Sequence, residues 1–485
     1  MRAPRKKPSR TIAPIIAARL NGRFSLHMQA DGSIAAVSND YSVSLGQFGA
    51  AAIARAGHLA TGLPLASLAG KSALAQQVHA LVRRLAQHGL LDYRLFSPRD
   101  AQDLVVIEPQ IADYWPQRAK LSSNDTIVLS RFAYLRRRGN EMVLESPRSG
   151  ALFRICDPAI AATLAALSQP QQISKLRKQM ASLNLDLLGL LLDSEMLIKL
   201  DAKDRGGLRV NERDSNLALW DFHDLVFHTR STEGRHANPV GGTYAHAGVI
   251  PPLPAVRPPW PGKKIPLGKF ATPEPASPFA KLLRARHSTR DFDDQHPVTL
   301  AELARFLDTT ARVLSEWKAD TDADGGPEVT YSSRPYPAAG SAYELELYLT
   351  VSNCEGLARG LYHYDAGGHA LVAIDTSPQQ LRALSMAAEF AMDAPGPPQI
   401  LITIAARFGR ISWKYSSIAY ALILKDVGCL IQTFYLAATD MGLGGCAIGT
   451  GNIDLFAKMT GLEVHVEGPV GQFALGRGRK VGDAG

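Results

Sequence analysis

Arg286, Ser288 and Arg290 fall within five residues, in the run RHSTR, at the end of a helical pattern. Two guanidiniums and a hydroxyl suit a phosphate, because Arg offers a planar fork of donors to its oxygens. The same letters also describe an ordinary basic helix terminus. A second basic group, Arg477, Arg479 and Lys480, lies near the end with two glycines. It either completes a phosphate site or forms a solvated tail. Lys414-Tyr415 is the candidate acid/base pair. A Lys depressed by burial, or a Tyr beside a cation, can take a proton near neutrality. Adjacent side chains on a helix diverge by about 100°, so both reach one substrate only near a helix start, at the mouth of a pocket. As a lone dipeptide, Lys-Tyr is more often surface.

Two further stretches bear on a ligand. Ala338, Ala339, Gly340 and Ser341 are small and precede a strand pattern, and small residues let a backbone approach a flat ring. Gly442, Gly444 and Gly445 belong to a glycine-rich loop that can do likewise. It is not a dinucleotide fingerprint, which must follow a strand and open a helix; here the glycines follow a helix. No GxxxxGK[ST] occurs, which excludes that route to nucleotide triphosphate chemistry.

The element that positions these groups is the stretch from 411 to 451. About 25 residues of helical character follow Lys414-Tyr415. Apolar residues at Ile418, Ala421, Leu422, Leu424, Val427, Leu430, Ile431, Phe434, Tyr435 and Ala438 recur at spacings of three and four, so the helix is apolar on more than one face. Such a helix is a domain spine or a dimer interface. Around it, residues 271–485 read as one α/β domain. Ser277-Pro278 reads as N-cap and first helical residue, and Thr299 with Glu302 as a capping box. Strand patterns fall at 343–351, GLYHYD, LVAI and 399–407.

The chain has 485 residues, 46% hydrophobic and 20% charged, the composition of a soluble globular protein of two to four domains. No continuous apolar run approaches the length of a membrane helix. The basic start, MRAPRKKPSRTIAPIIAARL, makes a poor signal peptide, so a cytoplasmic protein is expected. The four cysteines are scattered without a CxxC, which indicates neither a zinc site nor a disulfide framework. Residues 1–200 hold 25 Lys and Arg against 14 Asp and Glu; the remainder holds 28 against 31. The first 200 residues therefore favour an acidic partner, nucleic acid or acidic peptide.

Within those 200 residues one order recurs: hairpin, helices, strand. The hairpins turn at Asp31-Gly32 and Gly139-Asn140, and the terminal strands are 91–96 and 196–200. This suits two winged-helix-like units, 1–100 and 101–205. Few basic residues mark the last helix of the first unit, so peptide binding or a structural role outweighs DNA binding. Residues 206–270 form a linker that is proline-rich at its end. It carries His223, His228, His236 and His246, but no HExxH and no ligand pair on one helical face, so no metal is expected.

Together these pieces resemble the flavin-dependent azoline dehydrogenases of the SagB/ThcOx type, in the nitroreductase-like superfamily. RHSTRDF is similar to the superfamily's R-x-S-x-R-x-F flavin-phosphate motif. RPYPAAGSAYELELYL resembles the R-P-S-P-S-A-G-x-x-Y-P-x-E segment, with Tyr336 and Ala338 where Ser is frequent. WDFHDLVFHTRSTEGRHANPVGGTY is similar to the family linker and is the most specific match. WKYSSIAYALILKDVGCLIQ resembles the Lys-Tyr motif and its helix, and GLGGCAIG the late glycine loop.

The resemblance implies an α+β nitroreductase-like flavin domain at 271–485 behind two winged-helix-like units. It implies FMN held by Arg286, His287, Ser288 and Arg290, by Pro337, Ala338, Ala339, Gly340 and Ser341, and by Gly444, Gly445 and Arg479. Lys414 and Tyr415 become the catalytic pair. The implied substrate is a thiazoline or oxazoline in a ribosomally made precursor peptide with its leader, oxidised to the azole, with a cyclodehydratase as a further partner. A homodimer carries FMN at the subunit interface. A proton leaves the α-carbon, a hydride passes to the flavin, and oxygen restores it. Nucleic acid and membrane are not expected partners. The alternatives are a general NAD(P)H-dependent nitro or quinone reductase, and a non-catalytic scaffold.

Overall fold

The computed structural model describes residues 13–38, 42–180, 184–200, 214–271, 275–321 and 325–479. The basic start over residues 1–12, the boundary expected at 205, and Lys480 lie outside the described residues. The chain divides into two compact units, Met1–Arg230 with Gly234–Ala237, and Ser231–Glu233 with Asn238–Gly485.

The first unit is built twice from one plan. β1 (Ile15–Leu20) leads to a meander of β2 (Ser25–Met28), β3 (Ser33–Val37) and β4 (Ser42–Gln47). Then come α1 (Ala50–Ala56), the short β5 (Leu63–Pro64), α2 (Ala73–Gln87) and β6 (Leu91–Phe96). After β7 (Asp103–Pro109) the order returns, starting with β8 (Thr126–Leu129) and a meander of β9 (Tyr134–Arg138), β10 (Glu141–Glu145) and β11 (Ala151–Ile155). It continues with α3 (Pro158–Ala166), β12 (Gln171–Gln172), α4 (Ile173–Gln179), α5 (Leu185–Asp193) and β13 (Leu197–Leu200). The pairing repeats too, β5-β1-β6 in the first half and β12-β8-β13 in the second. Both hairpins turn where the sequence places them, since β2 pairs β3 around Asp31-Gly32 and β9 pairs β10 around Gly139-Asn140. The halves are joined by β7, which pairs β6 on one side and β11 on the other. α2 buries Val78, Leu81, Val82, Leu85 and Ala86 at spacings of three and four, the stripe that an amphipathic helix lays on a sheet. α6 (Ser215–Ala218) and α7 (Phe222–Ser231) follow. On α7, His228 is fully buried and stacks on Trp220 at 5.8 Å, while His223 is exposed beside Asp221. Among the described residues no group of three His, Cys, Asp or Glu side chains is placed to hold a metal ion.

The second unit begins with α8 (Pro278–Ala285), α9 (Leu300–Ala311), β14 (Ser315–Asp320) and β15 (Glu328–Ser333). The expected caps are present. Ser277 Oγ accepts the Ala280 N–H at 3.1 Å, and Thr299 and Glu302 exchange side-chain and backbone bonds as a capping box. β14 and β15 form a hairpin with an exposed face, and its first strand shows no alternation of apolar residues for a sequence pattern to report.

Next come β16 (Leu345–Val351), β17 (Gly360–Asp365), β18 (Ala370–Ile374), α10 (Pro378–Met392) and β19 (Ile400–Arg407). α11 (Phe408–Ser412), α12 (Ala419–Asp440), β20 (Gly444–Ile448), α13 (Ile453–Thr460) and β21 (Glu467–Gly476) close the unit. The sheet order is β18-β17-β16-β19-β21-β20, with antiparallel pairs throughout. This is a mixed α+β domain.

α12 packs against α9 and the sheet through Phe434, whose ring lies 5.2 Å from Phe306 and 5.4 Å from Phe473. By length and composition alone α12 could cross a membrane. Here Tyr420, Ile423, Leu430 and Phe434 bury one face of it in the domain core. The helix is shorter than its apolar pattern predicts. It starts at Ala419, and Lys414-Tyr415 occupy the turn between α11 and α12. Ser417, at φ 65°, lies within the break.

Candidate functional site

The expected ligand residues form two clusters at different places along α12. The first gathers at the end of α8. Arg286 caps that helix, and its guanidinium lies 5.0 Å from the centre of the Tyr435 ring. Ser288 Oγ is 2.8 Å from the Tyr435 hydroxyl, which accepts the Ala447 N–H at 2.9 Å. Thr289 N–H donates to the Gly445 carbonyl at 2.8 Å. His287 is exposed, and its Nδ1 lies 3.0 Å from the Ala285 carbonyl. Arg290 is exposed beside the buried Cys446. Arg479 joins this cluster through Asp291, with its Nε 3.3 Å from the carboxylate.

Arg477 does not join it. Its guanidinium binds both carboxylate oxygens of Glu302, at 2.7 and 2.8 Å, and so holds the start of α9. The donor set that remains, three arginines and a hydroxyl at a helix end, has the chemistry of a phosphate site.

Gly444 and Gly445 are not in a loop. They open β20, paired with Gly476 and Leu475 of β21. A Cβ on Gly444 would stand 2.6 Å from the Thr289 side chain, and one on Gly445 would overlap the Phe473 ring. Close packing therefore requires glycine at both positions. Their neighbourhood with the RHSTR run follows from the Thr289–Gly445 bond.

The second cluster joins residues far apart in sequence. Pro337 and Ala338 lead into a single helical turn, Ala339–Ser341, in which Gly340 has φ 55°. A Cβ on Gly340 would stand 2.5 Å from Lys414 Nζ and would overlap the Tyr415 hydroxyl. Lys414 Nζ donates to the Gly340 carbonyl at 3.1 Å. The two adjacent side chains thus converge on one backbone position, which the break before α12 permits and a continuous helix would not. Lys414 Nζ also lies 5.2 Å from the Tyr331 ring and 5.5 Å from the Tyr415 ring. Beside it opens a cavity of about 370 Å³ lined by Thr330, Tyr331, Ala342, Arg410, Trp413 and Lys414.

Several residues of this site escape sequence reasoning. Tyr331 comes from the β14–β15 hairpin, and Trp317 stacks on it at 5.9 Å. Arg410 donates to the carbonyls of Ala342 and Thr330, tying hairpin to loop. Asp426 of α12 accepts the Ala339 N–H at 2.8 Å. Glu344 is fully buried. Burial, with the Asp426 carboxyl adding to it, pushes the Glu344 carboxyl up to about 7; Asp426 is raised as well, chiefly by burial. The signal that was available for Glu344 is a charged residue where the resembled segment has Pro.

Residues 283–477 match the nitroreductase family, and residues 127–237 match the cyanobactin oxidase ThcOx. A protein of Methanocaldococcus jannaschii that carries the name nitroreductase is 30% identical over 170 residues, which are 35% of this chain and 76% of that protein. The chain belongs to the nitroreductase family of oxidoreductases. Its preceding segment is a cyanobactin-oxidase ThcOx region.

Two solved structures are also similar. A nitroreductase-type protein of Ralstonia eutropha JMP134 is 23% identical, covering 43% of this chain and 88% of that one, with a TM-score of 0.33. A chain of the E. coli microcin synthetase McbBCD complex with truncated pro-MccB17 bound is 18% identical, covering 57% of this chain and 99% of that one, with a TM-score of 0.39.

Proposed function

We propose that this protein is an FMN-dependent azoline dehydrogenase, oxidising thiazoline or oxazoline rings to thiazole or oxazole in a ribosomally made peptide. The observation that carries this reading is the convergence of Lys414 Nζ and Tyr415 Oη on Gly340 beside an open cavity. The ThcOx match supports a peptide substrate over a free small molecule.

Arg286, His287, Ser288, Arg290 and Arg479 would hold the FMN phosphate, the backbone at Gly444 and Gly445 would lie alongside, and Pro337 to Ser341 would face the ring. FMN, when bound, supplies the two-electron acceptor. Lys414 Nζ or Tyr415 Oη takes the proton from the azoline α-carbon, while Tyr331 and Trp413 shelter the ring from water.

The turn bearing Gly340 is tied to α12 at Asp426, nine residues or roughly 13 Å of helix before Tyr435, a distance comparable to the length of one flavin mononucleotide. The assembly that the family resemblance implies is a homodimer with FMN at the subunit interface. The stripe Ala421, Leu424, Gly428 and Ile431, exposed or half-exposed on α12, suits such an interface. The paired units of residues 1–200, with their excess of basic residues, would serve as winged-helix-like modules for an acidic leader, by strand addition.

The test is anaerobic. The FMN-loaded protein is mixed with an azoline-containing peptide and no nicotinamide. Bleaching of the flavin with a two-hydrogen mass loss from the peptide is the expected result; bleaching only with NAD(P)H would replace this reading with a general reductase.

The phosphate assignment has its own check. Arg290→Ala removes one charge-assisted contact, worth about 1.5–3 kcal/mol, so FMN affinity should fall at least ~10-fold by fluorescence titration. Undiminished affinity would remove Arg290 from the site.

A further inference from the structure

Glu344 sits between the 337–341 turn and β16, with neither carboxyl oxygen accepting an N–H or O–H from another described residue. Within its reach lies the carboxyl of Asp426. Two carboxylates repel; they bond only when one carries a proton. Asp426 in turn holds the Ala339 N–H. Arg334 also faces Glu344, but its guanidinium donates to the Leu345 carbonyl at 3.1 Å and lies 5.8 Å from the Tyr343 ring. The other ionisable groups that sense Glu344 are the buried Tyr336 hydroxyl and Arg410, and Arg410 is committed to the Ala342 and Thr330 carbonyls.

We infer that Glu344 and Asp426 share one proton as a buried acid pair, and that this pair is the positioning device for the 337–341 turn beneath Lys414 and Tyr415. With one proton present, Glu344 donates to Asp426, and Asp426 keeps a full charge for the Ala339 N–H. When that proton leaves, two buried anions face each other, Asp426 is driven off Ala339, and the turn loses its tie to α12. The inference concerns this chain's own residues and does not depend on the azoline reading.

The sign of the pH effect follows from the raised carboxyl. Its ordinary value is 4.5 and the folded value is about 7. Its contribution to stability is therefore complete below about 4.5 and is lost as pH rises through about 7. Glu344→Gln presents permanently the donor that Glu344 presents only when protonated.

The experiment uses the full chain without flavin, melted between pH 5 and pH 8.5. Wild type and Glu344→Gln should melt within ~1 °C of each other at the acid end, and the variant should melt about 4 °C higher at the alkaline end. Hydrogen exchange at the Ala339 amide of the wild type supplies a readout that needs no variant. It should accelerate across pH 7 at least ~10-fold beyond the intrinsic rise. Parallel melting curves, or Ala339 exchange that only follows the intrinsic rate, would overturn the inference. A neutral residue at 344 that merely filled space would shift stability equally at every pH.

Discussion

Lys414→Ala should lower azoline turnover by about 10²- to 10⁴-fold, the usual contribution of a positioned acid or base, while the protein still binds FMN. The lysine is exposed on a turn, so its loss should cost little stability, within about 0.5 kcal/mol. Its Nζ donates to the Gly340 carbonyl and borders the cavity. None of the arginines of the phosphate cluster touches it among the contacts described above. Turnover and flavin retention therefore separate in this variant. The measurement is the single-turnover rate of flavin reduction by an azoline peptide, with occupancy read from the flavin absorbance. Tyr415→Phe completes the comparison, because it keeps the ring and removes only the hydroxyl. Whichever variant shows the larger loss carried the proton, and wild-type rates in both would sink the catalytic assignment.

Gly340→Ala should be nearly as damaging, through one methyl group. Gly340 sits at φ 55°, where an L side chain costs roughly 1–2 kcal/mol. The added Cβ would also overlap the Tyr415 hydroxyl and stand 2.5 Å from Lys414 Nζ. Either the turn or the pair must move. A displacement of about 1 Å in a reacting group can cost 10²-fold in rate, so a ~100-fold fall in turnover is expected. The melting temperature should drop by only a few degrees, since the turn lies outside the aromatic core of Phe306, Phe434 and Phe473. Unchanged turnover would show that Lys414 and Tyr415 act from another position and that the convergence on Gly340 is incidental.

The local elements of this chain were legible because their causes are local. Ser277-Pro278, Thr299 with Glu302, Asp31-Gly32 and Gly139-Asn140 each carry their own hydrogen-bonding or backbone logic within four residues. The doubled order of residues 1–200 was visible for the same reason. The β14–β15 hairpin was not, because the exposed β14 has no apolar alternation to report. The glycine run at 444–445 read as a loop, because sequence cannot say that Thr289 and Phe473 occupy the space where its side chains would go.

The sequence by itself determined the chemistry on offer: a phosphate-fitting run at 286–290, a Lys-Tyr pair, a stretch of small residues and an apolar helix to carry them. Tertiary structure alone decided which of these meet. It withdrew Arg477 to Glu302, brought Arg479 to Asp291, and set Gly340 under Lys414 and Tyr415. It also buried Glu344 against Asp426, more than eighty positions away in the chain. The physical reason is that caps, turns and amphipathic stripes are fixed by neighbours three or four residues apart, which a sequence displays. Convergence and desolvation depend on how the sheet and α12 pack, and no short-range period encodes that.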